Sequence, residues 1–219
     1  MGIRQQQKER TRQAFVQAAL DMVAEGRSFT DISLRELAHR VGVVPTAYYR
    51  HFPDTDTLGL DIVAEVLPAL RNNLRALRRT ITSMDSLVEQ SVDLFFDYVI
   101  HHDKEFLFCG REITGGSRAL RRALRREIQT FSRELADDIR HLPSCAGLND
   151  NELMAVGDLL SRTMLTIAQD LVEISGHDQA VSVLRQRTLQ QMQMERSHLT
   201  CGLKLLVQPL DLLPTPTSL

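Results

Sequence analysis

Residues 33–52 read Ser33-Leu34-Arg35-Glu36-Leu37-Ala38-His39-Arg40-Val41-Gly42-Val43-Val44-Pro45-Thr46-Ala47-Tyr48-Tyr49-Arg50-His51-Phe52. Their chemistry spells two short helices joined by a tight turn. Ser33 followed by Glu36 is a capping box, in which hydroxyl and carboxylate each satisfy a backbone N–H that the first helical turn leaves free. Leu34, Leu37, Ala38 and Val41 then recur at helical spacing. Gly42 stands where the chain must reverse, because glycine enters the left-handed region without steric cost. Pro45 suits the first position of a second helix, where its missing N–H removes nothing. That helix, about Pro45 to His51, offers hydroxyls, aromatics and cations in place of an apolar stripe. A helix presenting such groups on a rigid partner is the half of a helix-turn-helix that enters the DNA major groove. The same spacing also suits an ordinary helical hairpin inside a bundle.

On the DNA reading, Pro45 opens the recognition helix. Thr46 can hydrogen-bond a base edge or phosphate, and Ala47 can lie against a thymine methyl. Tyr48 and Tyr49 can reach phosphates or bases, and His51 a phosphate. We expect Tyr48 to be the more exposed tyrosine, Tyr49 to be at least half internal and Phe52 to plug the core. Arg35, early in its helix, suits a backbone contact. Upstream, Arg4, Lys8, Arg10 and Arg12 crowd the start of the chain, and Lys8 and Arg12 are the expected phosphate contacts, supplying sequence-blind, salt-dependent affinity. With 26 Lys and Arg against 28 Asp and Glu the net charge is only −2, so a nucleic-acid binder of this composition must gather its positive charge locally.

Around this unit, 219 residues leave room for a larger second domain. The first helix should run from about Gln6 to Glu25 behind a frayed arm of residues 1–5. Later helices fall near 54–81, 85–101, 104–113, 117–142, 150–175 and 178–207, with Pro68 expected to kink the first of these. The fold class is therefore all-α. Its expected domains are a helix-turn-helix DNA-binding domain (1–55) and a helical effector-binding and dimerisation domain (56–207), before a disordered tail (208–219) with Pro209, Pro214 and Pro216. The two last helices are long and apolar, and pairing them with those of a second copy would make a four-helix interface.

Phe95, Phe96, Val99, Phe106, Phe108, Phe131, Leu160 and Met164 cluster in the second domain. They are core residues of a kind that can also border an adaptable apolar cavity, with Arg111 as a polar partner. Arg118, Arg121, Arg122, Arg125 and Arg126 form a basic stripe, either solvated or an anchor for an anionic head group. Cys109, Cys145 and Cys201 are widely spaced, which points to thiols in a reducing cytosol. We expect a soluble cytoplasmic protein, because no apolar run reaches membrane-spanning length and the N-terminus is polar. No nucleophile elbow, phosphate-binding glycine loop or zinc spacing is present. Neither catalysis nor a resident cofactor or metal is expected. A helical-bundle enzyme and a protein-interaction module remain the rival classes.

From Thr11-Arg12 through Ala18-Ala19-Leu20, Gly26, Phe29, Ile32 to Ala38, Val41-Gly42-Val43 and Tyr48 to Phe52, and on to Leu58, the chain resembles the DNA-binding domain of TetR-family transcriptional regulators. Many members carry a lysine after the His-Phe pair, whereas here Pro53-Asp54-Thr55-Asp56-Thr57 follows. Gly2 to Lys8, Leu58-Gly59-Leu60 and the segment from Arg111-Glu112 to Arg126-Glu127-Ile128 resemble the repressors of unsaturated fatty-acid synthesis (the FabR and DesT type), which also lack that lysine. The resemblance implies a homodimeric repressor on a near-palindromic double-stranded operator. It also implies an apolar effector, a long-chain acyl-CoA or acyl-ACP, in the helical domain. A TetR-type regulator of efflux or catabolic genes sensing another apolar molecule is the alternative.

Overall fold

In the computed structural model, described over residues 2–81, 84–141, 145 and 147–207 (backbone alone at 3, 84, 85 and 195–207), every regular element is helical. In chain order these are α1 (Ile3–Ala24), a 3₁₀ turn (Phe29–Asp31), α2 (Leu34–Val41), α3 (Pro45–Tyr48), α4 (Thr55–Arg78), α5 (Met84–His101), α6 (Asp103–Glu112), α7 (Arg118–Ile139), α8 (Asp150–Glu173) and α9 (Asp178–Val207). Helix α1 begins at Ile3, not Gln6, because the Gln5 and Gln6 N–H groups already bond the Gly2 carbonyl, so most of the expected arm is helix. Helices α4 and α7 each stop three residues short of the sequence expectation. The tail 208–219 lies outside the described residues.

Local chemistry explains the boundaries. Ser33 and Glu36 form the reciprocal capping box on α2, and Gly42 closes that helix at φ +76°. Asp54 caps α4, its carboxylate accepting from the Thr57 N–H at 2.7 Å. Ser117 caps α7 and Asn149 forms a second capping box with Glu152 on α8. Helix α4 carries on through Pro68 without interruption, and the Tyr98 hydroxyl donates to the nearby Val66 carbonyl at 2.9 Å.

One apolar cluster runs unbroken from Phe15 in α1 to Met192 in α9. Helix α4 is its spine. The first turns bury Leu58, Ile62 and Val63 beside α1, and the remainder packs on α5 and α7. A ladder of ions joins α4 to α7. Arg71 pairs with Glu127 and, at 3.2 Å, with Glu134, while Arg78 pairs with Asp138 at 2.7 Å. Residue numbers rise together along both helices, so α4 and α7 run parallel away from the N-terminal unit. Helix α8 crosses α7 at close range, where Gly157 faces the Ser132 carbonyl.

Candidate nucleic-acid interface

Helix α3 is a single turn, and its meaning lies in which side chains that turn buries. Tyr48 is fully buried. Its ring meets Phe15 edge-on at 5.0 Å, with Phe52 beside it, and its hydroxyl donates to the Asp54 carbonyl at 3.0 Å. Burial raises the phenol well above its ordinary pKa. Tyr49 is 61% exposed. This reverses the expected order of the two tyrosines. The physical reason is the helical repeat. The Phe52 N–H bonds the Tyr48 carbonyl, i to i−4, which places residues 48 and 52 on one face and turns residue 49 away. Phe52 is in the core as expected.

With Tyr48 as the bolt, the outward face of α3 and its flanks carries Val44, Pro45, Thr46, Tyr49 and Arg50, all exposed, while Ala47 is half-buried at its edge. Arg50 and Val44 were not among the sequence candidates. The signal for Arg50 was a cation next to the double tyrosine. His51 is half-buried, and its Nδ1 is enclosed without a hydrogen-bond partner. Burial, followed by the charges of Lys8, Arg12 and Arg50, lowers its pKa below the ordinary imidazole value. Those three cations therefore crowd one spot beside α3.

Their roles differ. Lys8 is exposed. Arg12 is committed inward: it pairs with Asp61 of α4, donates to the His51 carbonyl at 3.0 Å and lies 4.3 Å over the Phe52 ring. It ties α1 to α4 across the corner that holds α3. Arg35 is exposed on the first turn of α2. Its neighbour Glu36 is pulled down to about 2 by the Ser33 N–H first, then by the Ser33 hydroxyl and Arg27. A rigid, cation-rimmed edge of hydroxyl, phenol and guanidinium groups is thus presented on a short helix. Such an edge can donate to phosphates and to base edges.

The candidate effector residues are arranged otherwise. Phe95, Phe96, Val99, Phe106 and Phe108 are buried in the common core, with Phe131, Leu160 and Met164 partly buried against it. Arg111 is turned away from them and donates to the Val23 carbonyl of α1. A groove of about 680 Å³ opens elsewhere, lined by Leu77, Gln90, Asp93, Leu94, Asp97, Tyr98, His101 and His102. Its lining shares none of the candidate residues, because Phe95, Phe96 and Val99 occupy the other side of α5. Helix α6 joins this body to the N-terminal unit. Lys104 pairs with Asp21 at 2.7 Å and Phe108 meets Phe29 edge-on at 4.9 Å. Among the described residues, no three His, Cys, Asp or Glu side chains gather as a metal site needs, and no helix is long and apolar enough to cross a membrane.

No protein-family model matches the chain. Its fold is nevertheless shared by solved structures. FadR of Bacillus halodurans, a fatty acid degradation regulator, is 14% identical over 82% of this chain and 94% of its own, with a TM-score of 0.66. FadR of Thermus thermophilus, a TetR-family transcriptional repressor in complex with lauroyl-CoA, is 17% identical over 94% of this chain and 98% of its own, at 0.52. NalD of Pseudomonas aeruginosa, the secondary repressor of the MexAB-OprM multidrug efflux pump, is 18% identical over 84% and 96%, at 0.55. These neighbours are TetR-family transcriptional regulators. The likeness establishes the fold, an all-α chain with an N-terminal helix-turn-helix and a C-terminal helical domain.

Proposed function

We propose that the protein is a ligand-responsive transcriptional regulator that binds a near-palindromic DNA operator as a homodimer. The observation that carries this reading is the polarity of α3. Tyr48 is locked inside while Thr46 and Arg50 face outward without a side-chain partner among the described residues and the exposed Tyr49 keeps only an edge contact with the Tyr48 ring at 6.1 Å, an arrangement that suits a groove. Thr46 and Tyr49 read base edges, and Lys8, Arg35, Arg50 and His51 hold phosphates. Arg12 acts by fixing the corner under α3.

Dimerisation runs through α8 and α9, whose exposed Leu159, Val183 and Met194 would be covered by the same helices of a second copy. Two-fold symmetry then presents two α3 helices to half-sites about 34 Å apart. The effector selects one angle between body and N-terminal unit, transmitted through the contacts of α6 with α1 at Lys104–Asp21 and with the 3₁₀ turn at Phe108–Phe29. Coupling of this kind is typically ~1–3 kcal/mol.

The effector class that fits best is a long-chain acyl thioester, and the regulated genes those of fatty-acid desaturation. The resemblance to desaturation repressors supports both parts, and the two FadR neighbours, one a fatty acid degradation regulator and one in complex with lauroyl-CoA, support the acyl-thioester part. NalD supports the second reading, an efflux regulator sensing another apolar molecule. Selection from a random duplex library, repeated with saturated and unsaturated acyl-CoA, tests both. A selected near-palindrome whose affinity shifts with acyl-CoA supports the fatty-acid reading. A selected site indifferent to acyl-CoA removes it and leaves the efflux reading.

A further inference from the structure

Some of the described cations have an acidic partner. Arg12, Arg27, Arg40, Arg71, Arg78, Lys104, Arg140, Arg162 and Arg185 all form ion pairs. None of the six arginines of α7 does so among the described residues; Arg133 donates to the Gln129 carbonyl at 3.2 Å, and four others have no side-chain partner at all. Arg118, Arg122, Arg125 and Arg126 are exposed, and their side chains meet no carboxylate, carbonyl or ring among the described residues. Their neighbour Arg121 is instead used internally, donating to the Gly116 carbonyl at 2.8 Å. Positions 118, 122, 125 and 126 share one face of the helix, the face opposite the buried Leu120 and Leu124.

The position of this stripe in the fold is informative. A methyl group on Gly59 would come within 3.0 Å of Leu120 and Phe29, and one on Gly116 within 2.9 Å of Thr30. The first turn of α7 therefore sits level with the second turn of α4, beside the 3₁₀ turn that leads into α2. Gly59 lies four residues into α4, about 6 Å along its axis. The stripe begins at the end of the body that meets the N-terminal unit and climbs away from it, Arg122 being about 6 Å and Arg126 about 12 Å beyond Arg118.

We propose that this arginine face is an auxiliary DNA-backbone contact, which grips phosphates next to those held by the N-terminal unit and draws the duplex toward the body. The proposal rests on the DNA-binding reading above. A regularly spaced row of guanidinium groups matches a row of phosphates in charge and in geometry. A bilayer surface is a poorer match, because a membrane-seated helix adds exposed bulky apolar residues to its cations, and none of the exposed large hydrophobic residues lies on α7.

The test uses the full chain and the quadruple variant R118Q/R122Q/R125Q/R126Q, with R79Q as a control for an exposed cation elsewhere. Binding to a random-sequence 40-mer duplex is titrated from 50 to 300 mM salt, alongside vesicles containing phosphatidylglycerol. The stripe variant should bind the duplex at least fivefold more weakly at low salt, with a salt slope smaller by about 2. The control should match wild type. Single substitutions should be graded, Arg118 and Arg122 costing more than Arg126, and arginine-to-lysine replacements should keep most of the slope. An unchanged slope in the quadruple variant overturns the proposal, as does stripe-dependent vesicle binding without any effect on DNA. If wild type binds no duplex at all, the DNA-binding reading itself fails, a result distinct from either.

Discussion

At the residue scale, Tyr48 and Tyr49 divide structure from recognition within one dipeptide. Tyr48→Ala would leave a cavity between Phe15 and Phe52 and should destabilise the chain by ~3–5 kcal/mol, as buried aromatic truncations do. Tyr48→Phe keeps the packing and loses one hydrogen bond, costing about 1 kcal/mol. Thermal melts of both, beside Tyr49→Ala at an unchanged midpoint, check the assignment. Melts at the same temperature for Tyr48→Ala and Tyr49→Ala would contradict it. Glu112 is the second residue of consequence. It ends α6 almost completely buried, its Oε2 without a hydrogen-bond partner. Burial, followed by the charge of Asp56, raises its pKa, against the pull of Arg121. Between the ordinary carboxylate value and that raised value the native chain holds a proton that the unfolded chain has lost. Stability should therefore fall as pH rises through that window, and Glu112→Gln should flatten the fall. Parallel pH profiles of the two denaturation midpoints would contradict this.

Much of the N-terminal unit was legible at this scale because its signals are local. A serine and a glutamate three apart, a glycine and a proline say where α2 stops and α3 starts, and no distant residue can alter that. The order of the tyrosines was also within reach, since Phe52 in the core implies Tyr48 beneath it one helical turn earlier. The neighbouring aromatic side chains, both able to reach DNA, obscured it. Arg12 was not legible in the same way. Its partner Asp61 lies 49 positions away, and nothing near Arg12 distinguishes an arginine that faces phosphate from one that faces carboxylate.

At the scale of elements, two helix contacts set the shape of the body. Helix α8 meets α7 where the Cα of Gly157 faces the backbone of Ser132, and an added methyl would stand 2.3 Å from the Ser132 carbonyl oxygen. Gly157→Ala must push the helices apart and should destabilise by ~1–3 kcal/mol or more, the range of overpacked cores. A midpoint equal to wild type would show that the helices do not approach so closely. The α4–α7 ladder acts differently. Arg71, with its side chain 16% exposed, faces both Glu127 and Glu134. Removing it by Arg71→Ala leaves the half-buried Glu127 without its cation and Glu134 with Arg75 alone, at 3.8 Å, and should cost ~3 kcal/mol, whereas replacing the whole set by apolar residues need not. The helices themselves were read from apolar spacing to within a few residues. The ladder was not, because charges on two helices acquire partners only when the helices are brought together.

At the scale of the whole molecule, one continuous core runs from the reading unit into the body, so a change of packing in either part is felt in the other. This suits a regulator whose effector acts on DNA affinity from a distance. The phenylalanines expected at an effector cavity lie inside that core, while the open groove is lined by other residues. An apolar cavity cannot be told from a core by composition, since both are built from the same side chains. Assembly belongs to this scale as well. Leu159→Asp with Val183→Asp places charges on the apolar face of α8 and α9 and should convert a dimer to a monomer in sedimentation velocity, with loss of operator affinity of a hundredfold or more through lost bivalency. A double variant that sediments as wild type would move the interface elsewhere.

The most direct measurement concerns α3 itself: selection from a random duplex library with wild type and with Thr46→Ala/Tyr49→Ala, each verified as folded by its melt. Wild type should enrich two inverted half-sites about one helical turn apart, and the double variant should lose that enrichment while still binding random DNA with a similar salt slope. Enrichment of the same motif by both proteins, or of none by wild type, would contradict the account.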